Sequence, residues 1–197
     1  KELDIPILFI SSHTEPEVVE KTEKITSYGY VVKNSSITVL DASIKMAFKL
    51  FNSHIKIEEG KLLLQKTIDG IAEPILQIDK DYRVISSNMA VKESYHADKE
   101  YCYQISHNSN IPCKDEDHPC VLQEVIKTKK LAKSIHKHIN KNGMERFAEL
   151  TATPVFDNKN NVISVIEILY DITDRLHLAE IKNEYTANLN SLINNRK

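Results

Sequence analysis

Glycine is scarce in this chain: it occurs 4 times in 197 residues, whereas an average protein contains about 7 % glycine. The four glycines stand alone, at Gly29, Gly60, Gly70 and Gly143. Neither of the common glycine-rich loops that bind nucleotide phosphates can therefore be formed. The sequence also shows no nucleophile paired with a base, so we predict that the chain is not an enzyme.

Long apolar runs and a large charge imbalance are missing as well. No apolar run approaches about 18 residues, and no leader of charged, then apolar, then small residues is present, so we expect neither a membrane segment nor a signal peptide but a cytoplasmic protein. The 26 basic and 28 acidic side chains nearly cancel, which disfavours nucleic acid as a partner. With 41 % hydrophobic residues, the composition is that of a folded globular protein, and the length suits two domains.

Two short apolar runs near the start predict buried β-strands, at residues 5–11 and 28–33. Between them, Thr14 can cap a helix that has Pro16 in its first turn. A second helix, with apolar residues at spacings of three and four, is predicted from residue 37 to residue 51. The order strand, helix, strand, helix predicts that the two strands are parallel.

The stretches ILFISSHT and YGYVVKNSS and the helix ending MAFKLF resemble the C-terminal half of a response-regulator receiver domain. The resemblance implies a receiver remnant at residues 1–52. In it, Ser11 takes the place of the hydroxyl that bonds the acyl phosphate, Tyr30 that of the aromatic switch and Lys33 that of the phosphate-pairing lysine. Asn34 departs from the proline usual after that lysine. Because the strands that carry the phosphate acceptor come earlier in receivers, we expect a fragment that cannot be phosphorylated.

Residues 53–71 are highly charged, with apolar residues spaced along them. Leu50, Ile57, Leu64 and Ile71 fall seven residues apart, which is the spacing of one coiled-coil seam. The other seam positions are mixed, and Gly60 costs about 1 kcal/mol in a helix interior. The segment predicts a linker helix that either pairs as a parallel coiled coil or packs as a solvated helix on its own domains.

The second half of the chain has the pattern of an antiparallel sheet. Residues 74–88 predict two short strands around an Asp79-Lys80-Asp81 turn. Three further strands are predicted at 131–140, 145–156 and 162–171. The first two of these three are joined by Asn142 and Gly143, a hairpin signal because both residue types accept a positive φ. Residues 89–130 predict a helical insertion.

Two strands, a helical insertion and three strands is an order that resembles a PAS domain. The resemblance covers about 68–175, with a domain at 72–174, and is strengthened by Asp171-Ile172-Thr173, which is similar to the signature where the last PAS strand passes into an output helix. The predicted fold class is α+β: a PAS-like five-stranded antiparallel sheet with a helical insertion, a truncated α/β receiver remnant and flanking signalling helices.

The predicted output helix, 175–197, carries an apolar stripe on a polar background. The stripe consists of residues three or four apart: Leu178, Ile181, Tyr185, Leu189 and Leu192. Such a stripe needs a partner. Because PAS domains usually dimerise through flanking helices, the resemblance implies a homodimer, with an effector or kinase outside this chain.

The segment 102–120 gathers Cys102, His107, Cys113, His118 and Cys120 within the insertion. Thiolates and imidazoles are ligands of zinc, and thiolates also hold iron–sulfur clusters. No C-x2-C pair occurs, so the spacing leaves three alternatives open: a metal or cluster site, redox-sensing thiols, and a structural segment with buried thiols. Haem is not favoured, since His118 would be its one candidate ligand.

His136 and His138 share one face of the strand predicted at 131–140. They could form a second pair of ligands, but the expectation is that both imidazoles face solvent.

Two functional hypotheses follow. The first is a sensory fragment of a two-component type system, in which the PAS domain detects a small ligand, a metal or a redox cue and relays it through its flanking helices to a phosphorelay. The second is a metal- or redox-binding protein that uses the Cys/His cluster on a PAS scaffold.

Overall fold

A computed structural model of the chain describes residues 5–12, 28–113 and 119–194. The chain divides into two units, Lys1–Gln65 and Lys66–Lys197. Within the described residues, no helix has both the length and the apolar composition that crossing a membrane requires.

The first unit contains a two-stranded parallel sheet, formed by β1 (Leu8–Ser11) and β2 (Gly29–Val32). The predicted parallel pairing is therefore confirmed. The backbone N–H of Lys33 donates to the carbonyl of Ser11 at 2.8 Å, so both residues lie at the carboxyl ends of the strands, and Tyr30 pairs with Phe9 inside the sheet. The helix predicted between the strands, from Thr14 onward, lies outside the described residues.

Helix α1 spans Ile37–Asp69 without interruption. It joins the helix predicted at 37–51 to the predicted linker, and Gly60 lies inside it. Within the first unit, the Phe51 ring packs edge-on against Tyr28, with ring centroids 5.4 Å apart. Along the predicted seam Leu50, Ile57 and Leu64 are all half exposed or more, so pairing along it stays a prediction.

The second unit follows the predicted element order. Its elements are β3 (Ile75–Ile78), β4 (Val84–Ser87), α2 (Met89–Ser94), α3 (Cys102–His107), α4 (Val121–Thr128), β5 (Ala132–Ile139), β6 (Glu145–Phe156), β7 (Val162–Asp171) and α5 (Thr173–Asn194). The five strands form one sheet in the order β4-β3-β7-β6-β5, with every neighbouring pair antiparallel. The five predicted strands and their antiparallel pairing are confirmed.

The core lies between one face of this sheet and the helices of the insertion. The sheet contributes residues such as Leu76, Leu150 and Leu169, and helix α4 contributes Leu122 and Val125, all at most 2 % exposed. Alternation along the strands explains this, because every second side chain points to the helix-covered face. The insertion is therefore the second layer of the domain.

The three hairpin turns of the sheet share one construction. Each begins with an Asp or Asn whose side-chain oxygen accepts backbone N–H groups two and four residues later; these residues are Asp79, Asn140 and Asp157. The fourth residue of each turn has a positive φ, at Tyr82 (68°), Gly143 (75°) and Asn160 (61°). The expectation for the turn at 142–143 was thus wrong in part: Gly143 has a positive φ but Asn142 does not, because this turn has one residue more than a two-residue hairpin.

Asn88 ties the end of α1 to the sheet. Its side-chain oxygen accepts from the backbone N–H groups of Ile75 and Val91, at 3.0 and 3.4 Å, and so also caps α2. Its amide donates to the carbonyls of Ile68, Ile71 and Glu73 at 2.9–3.3 Å. The side chain is fully buried, and these bonds satisfy the whole amide.

Candidate functional site

A small cavity of about 20 Å³ lies between the insertion and the sheet of the second unit. Helices α3 and α4 cover one side, and strands β5 and β7 form the other. Its lining is rich in groups that bind metals or titrate: Cys102, His107, Cys113, Cys120, His136 and Glu167. A volume of this size holds one water molecule or one ion.

The helix ends explain why the sequence cluster meets at one place. Helix α3 begins at Cys102 and ends at His107, where Asn108 takes a left-handed conformation and stops the helix. Cys120 is the N-cap residue of α4. Four of the five residues predicted as ligands, Cys102, His107, Cys113 and Cys120, therefore line one cavity, and His118 lies outside the described residues.

Strand β5 supplies two histidines that the sequence analysis placed in solvent. His136 is 3 % exposed and His138 is fully buried, so that expectation was wrong. The face they occupy also carries Ala132 and is covered by α3 and α4 rather than by water. The β5–β6 register could have indicated that His136 is buried. In this register His136 pairs with Ala148, which belongs to an alternating apolar row of β6.

Three imidazoles meet at this site. One ring nitrogen from each of His107, His136 and His138 lies within 4.8 Å of the other two, and this is the group with metal-binding spacing among the described residues. The ring centroids of His107 and His138 are 4.5 Å apart, and His107 and His136 are 5.5 Å apart. The structure thus brings together three possible ligands: His107, which the sequence predicts as one, and His136 and His138, which the sequence analysis raised as a second pair but expected in solvent.

Backbone carbonyls orient two of the rings. Nδ1 of His107 lies 3.3 Å from the carbonyl oxygen of Lys137, and Nε2 of His136 lies 3.0 Å from that of Pro119. A carbonyl oxygen only accepts, so each of these nitrogens carries the hydrogen and donates. The assignment places the lone pair on Nε2 of His107 and on Nδ1 of His136 when the rings are neutral.

The two thiols nearest the helices are held in their protonated form. Burial raises the pKa of Cys102 far above its usual range, and burial also raises the pKa of Cys120. The nearby Glu167 carboxyl acts in the same direction on both. Because the thiolate is the reactive species, a raised pKa lowers the reactivity of these two thiols.

Glu167 is the acidic group of the cavity. It lies on β7, the middle strand of the sheet, and pairs with Leu76 on β3 and with Ala152 on β6. Burial raises the pKa of its carboxyl to about 7. A carboxyl in an apolar sheet row is a functional-site signal, because it costs stability when it is ionised.

The sheet connects the cavity to the start of α5. His136 on β5 lies opposite Ala148 on β6, and Ala148 lies opposite Asp171, the last residue of β7. Next to this row, the hydroxyl of Thr173 accepts the backbone N–H of Phe147 at 2.9 Å. The predicted passage from the last strand into a helix at 171–173 is confirmed, and β6 holds Thr173, the first residue of that helix.

A wider, open groove of about 550 Å³ lies elsewhere on the second unit, beside the β5–β6 turn. Its walls include Glu93, Asn140, Lys141 and Arg146. Ligand sites of this volume are usually enclosed and apolar. The groove has no cluster of ligating groups, so the Cys/His cavity is the better candidate site.

The protein-family comparison gives one match: the family model described as PAS fold matches residues 68–177, more than half of the chain. No curated protein matches the chain.

Three of the solved structures with a similar fold show low identity to this chain and cover it in part. An RNA-binding light-oxygen-voltage receptor has 16 % identity and a TM-score of 0.52, over 64 % of this chain and 36 % of that one. VqmA bound to DPO has 18 % identity and a TM-score of 0.47, over 58 % of each chain. The PAS domain of a Colwellia psychrerythraea protein has 13 % identity and a TM-score of 0.44, over 60 % of this chain and 98 % of that one.

The present chain therefore spans about a third of the first of these structures and just over half of the second. At such low identity the likeness concerns the fold alone. The family match over more than half of the chain leads to one conclusion: the chain belongs to the PAS fold family, whose members are sensory and generally act in signalling.

Proposed function

We propose that the second unit senses a cue at the Cys/His cavity and relays it to helix α5. The observation that carries this proposal is the row His136, Ala148 and Asp171, which runs across three strands from the cavity to the last residue of β7, two residues before α5 begins. Neighbouring strands are about 4.8 Å apart, so the row spans only about 10 Å. A small shift of β5 against β6 reaches the helix start directly.

The junction is built to transmit such a shift. The backbone N–H of Ile172 donates to the carbonyl of Phe147 at 2.8 Å, and the Phe147 N–H donates to the Thr173 hydroxyl. The two bonds attach Thr173, the first residue of α5, and Ile172, the residue before it, to β6. When β6 moves, α5 is expected to move with it.

The helix before the domain has a matching anchor. Asp69, the last residue of α1, accepts the backbone N–H of Met89 at 2.9 Å, and Asn88 holds the carbonyl of Ile68. Both flanking helices are thus attached to the sheet at their near ends. A domain held in this way can pass a change of packing from one helix to the other.

The finer setting of this sensor is a homodimer in a two-component type system. The support for a dimer is the apolar stripe of α5, where Leu178, Ile181 and Tyr185 are all more than 60 % exposed. The support for a two-component setting is the receiver-like stretch around Ser11, Tyr30 and Lys33. The effector or kinase then belongs to another part of the system.

A second candidate function is metal binding on a PAS scaffold without relay. The three clustered histidines favour it. The protonated thiols of Cys102 and Cys120 disfavour the related idea of a redox sensor.

A double-mutant cycle tests the relay. Amide hydrogen exchange of residues 176–191 is measured in chelator, on the full chain, for the wild type, His136→Gln, Thr173→Val and the double variant. We expect His136→Gln to change exchange in α5 about threefold or more, which corresponds to the lower range of couplings between connected residues. In the Thr173→Val background the same substitution has no further effect, because the hydroxyl that accepts from Phe147 has been removed.

The matched control is His54→Gln, which replaces an exposed histidine of α1 and leaves exchange in α5 unchanged. If the effects of His136→Gln and Thr173→Val simply multiply, the cavity and the helix are independent and the relay is wrong.

A further inference from the structure

We infer that His107, His136 and His138 form a binding site for one divalent transition-metal ion of the zinc type. The inference deepens the proposed function, because it names a metal ion as the cue. That the ion acts as a signal rests on the proposed function. The site differs from the one the sequence predicts: two of its three ligands come from strand β5, and none is a cysteine.

The distances suit a metal after a small adjustment. The three ring nitrogens lie within 4.8 Å of one another, and nitrogens bound tetrahedrally to zinc at about 2.0–2.1 Å are about 3.4 Å apart. The rings therefore have to approach by at most about 1.4 Å. Side-chain rotations of the three histidines, of which His107 is the last residue of the short helix α3, can provide a movement of this size.

The hydrogen bonds prepare the rings for a metal. The Nδ1–H of His107 points to the Lys137 carbonyl and the Nε2–H of His136 points to the Pro119 carbonyl. Metal-binding histidines usually donate their second ring N–H to a carbonyl or carboxylate in this way, which fixes the ring and directs the other nitrogen to the metal. The two bonds use different ring nitrogens, Nδ1 of His107 and Nε2 of His136.

The surroundings of His138 keep water away. The side chain is fully buried, and the Tyr95 ring packs edge-on against it at 5.9 Å. An apolar wall beside a metal site controls the access of solvent to it.

The chemistry of the donor set selects the ion. Imidazole nitrogens suit zinc, copper, nickel and iron, whereas calcium and magnesium require oxygen ligands. Three protein ligands also leave a fourth position for water or a small anion. The thiols of Cys102, Cys113 and Cys120 line the same cavity but fall outside the group with metal-binding spacing.

Zinc titration of the chelator-stripped full chain tests the site. Calorimetry is expected to show one zinc ion per chain, and His107→Gln, His136→Gln and His138→Gln are each expected to weaken binding by about 100-fold or more, since each removes a direct ligand. The matched control is His177→Gln, in an exposed position of α5, which keeps the wild-type affinity. Circular dichroism verifies that each variant is folded.

X-ray absorption of the zinc-loaded wild type tests the ligand set without any substitution. A first shell of nitrogen and oxygen only is the expected result. No zinc binding by the wild type, sulfur in the first shell, or equal affinities in all four variants would each overturn the inference. The relay is tested separately, because its exchange measurements are made in chelator and do not depend on zinc.

Discussion

At the scale of single residues, Glu167 stands out because its ionisable carboxyl group is buried. It lies in the middle strand of the sheet and is buried beneath the insertion. The cavity it lines also contains the thiols of Cys102 and Cys120 and the imidazole of His136. Burial disfavours the ionised form of the carboxyl, and its pKa is raised to about 7.

This pKa predicts how stability depends on pH. The carboxyl binds its proton more tightly in the folded state than in the unfolded state, where the ordinary value is 4.5. The stabilisation that this proton binding adds to the free energy of unfolding is complete below about pH 4.5. It is lost as the pH rises through 7, and the total loss is of the order of 3 kcal/mol. Glu167→Gln removes this loss, so the variant should be more stable than the wild type at pH 8 and similar to it at pH 4.5.

Urea unfolding of the metal-free chain at several pH values measures the difference. The control is Glu93→Gln, at an exposed position, which should change the pH profile little. A difference between wild type and Glu167→Gln that is the same at pH 4.5 and pH 8 would contradict the prediction.

Single residues also show what the sequence could and could not predict about the site. The gathering of Cys102, His107, Cys113 and Cys120 was predictable, because they lie close together in the sequence and a short insertion cannot separate them widely. His136 was expected in solvent, because alternation places it on one face of a strand but does not say which face is covered. The covering layer is α3 and α4, and their position depends on long-range packing.

At the scale of elements, the three hairpins show how local chemistry fixes the sheet. Each turn has an Asp or Asn side chain that replaces two missing backbone acceptors, and a residue with positive φ three positions later. The strands and turns were predictable for this reason: their signals are local. The lengths of the helices were less so, since only the structure joins residues 37–69 into one helix through Gly60.

The shared construction predicts how substitutions at Gly143 behave. Its φ is 75° and no atom lies within 4 Å of an added Cβ, so any cost is one of backbone conformation rather than of space. Gly143→Ala is expected to cost about 1–2 kcal/mol, the usual penalty for a side chain in the left-handed region. Gly143→Asn should cost less than half as much, because Asn160 occupies the same place in another turn.

Denaturant midpoints of the two variants provide the comparison, and because both add a Cβ, each serves as the control for the other. Equal losses of stability for alanine and asparagine would show that the turn does not share the construction of its neighbours.

At the scale of the whole molecule, both helices that flank the sheet domain carry exposed apolar residues. On α1, Leu50, Ile57 and Leu64 are between 50 % and 65 % exposed, and on α5, Leu178, Ile181 and Tyr185 are between 63 % and 67 % exposed. The named residues are seven apart on α1 and three or four apart on α5, and both spacings are typical of a seam between paired helices. A second copy of this chain presents the same two stripes, and a two-fold axis pairs like with like.

The homodimer is therefore expected to depend on the stripe of α5. Ile181→Lys places a charge in the middle of the stripe, where it would have to be buried against the partner helix, so we expect dimer dissociation to increase by about tenfold or more, equivalent to at least about 1.4 kcal/mol. Sedimentation equilibrium measures the dissociation constant.

The matched control is Glu180→Lys, which introduces the same side chain one position away, outside the stripe, and should leave the dimer intact. Since Ile181 is 63 % exposed in the single chain, the melting of the sheet domain should not change in either variant. A wild type that is monomeric at every concentration, or equal effects of the two lysines, would show that the stripe does not pair two copies of the chain.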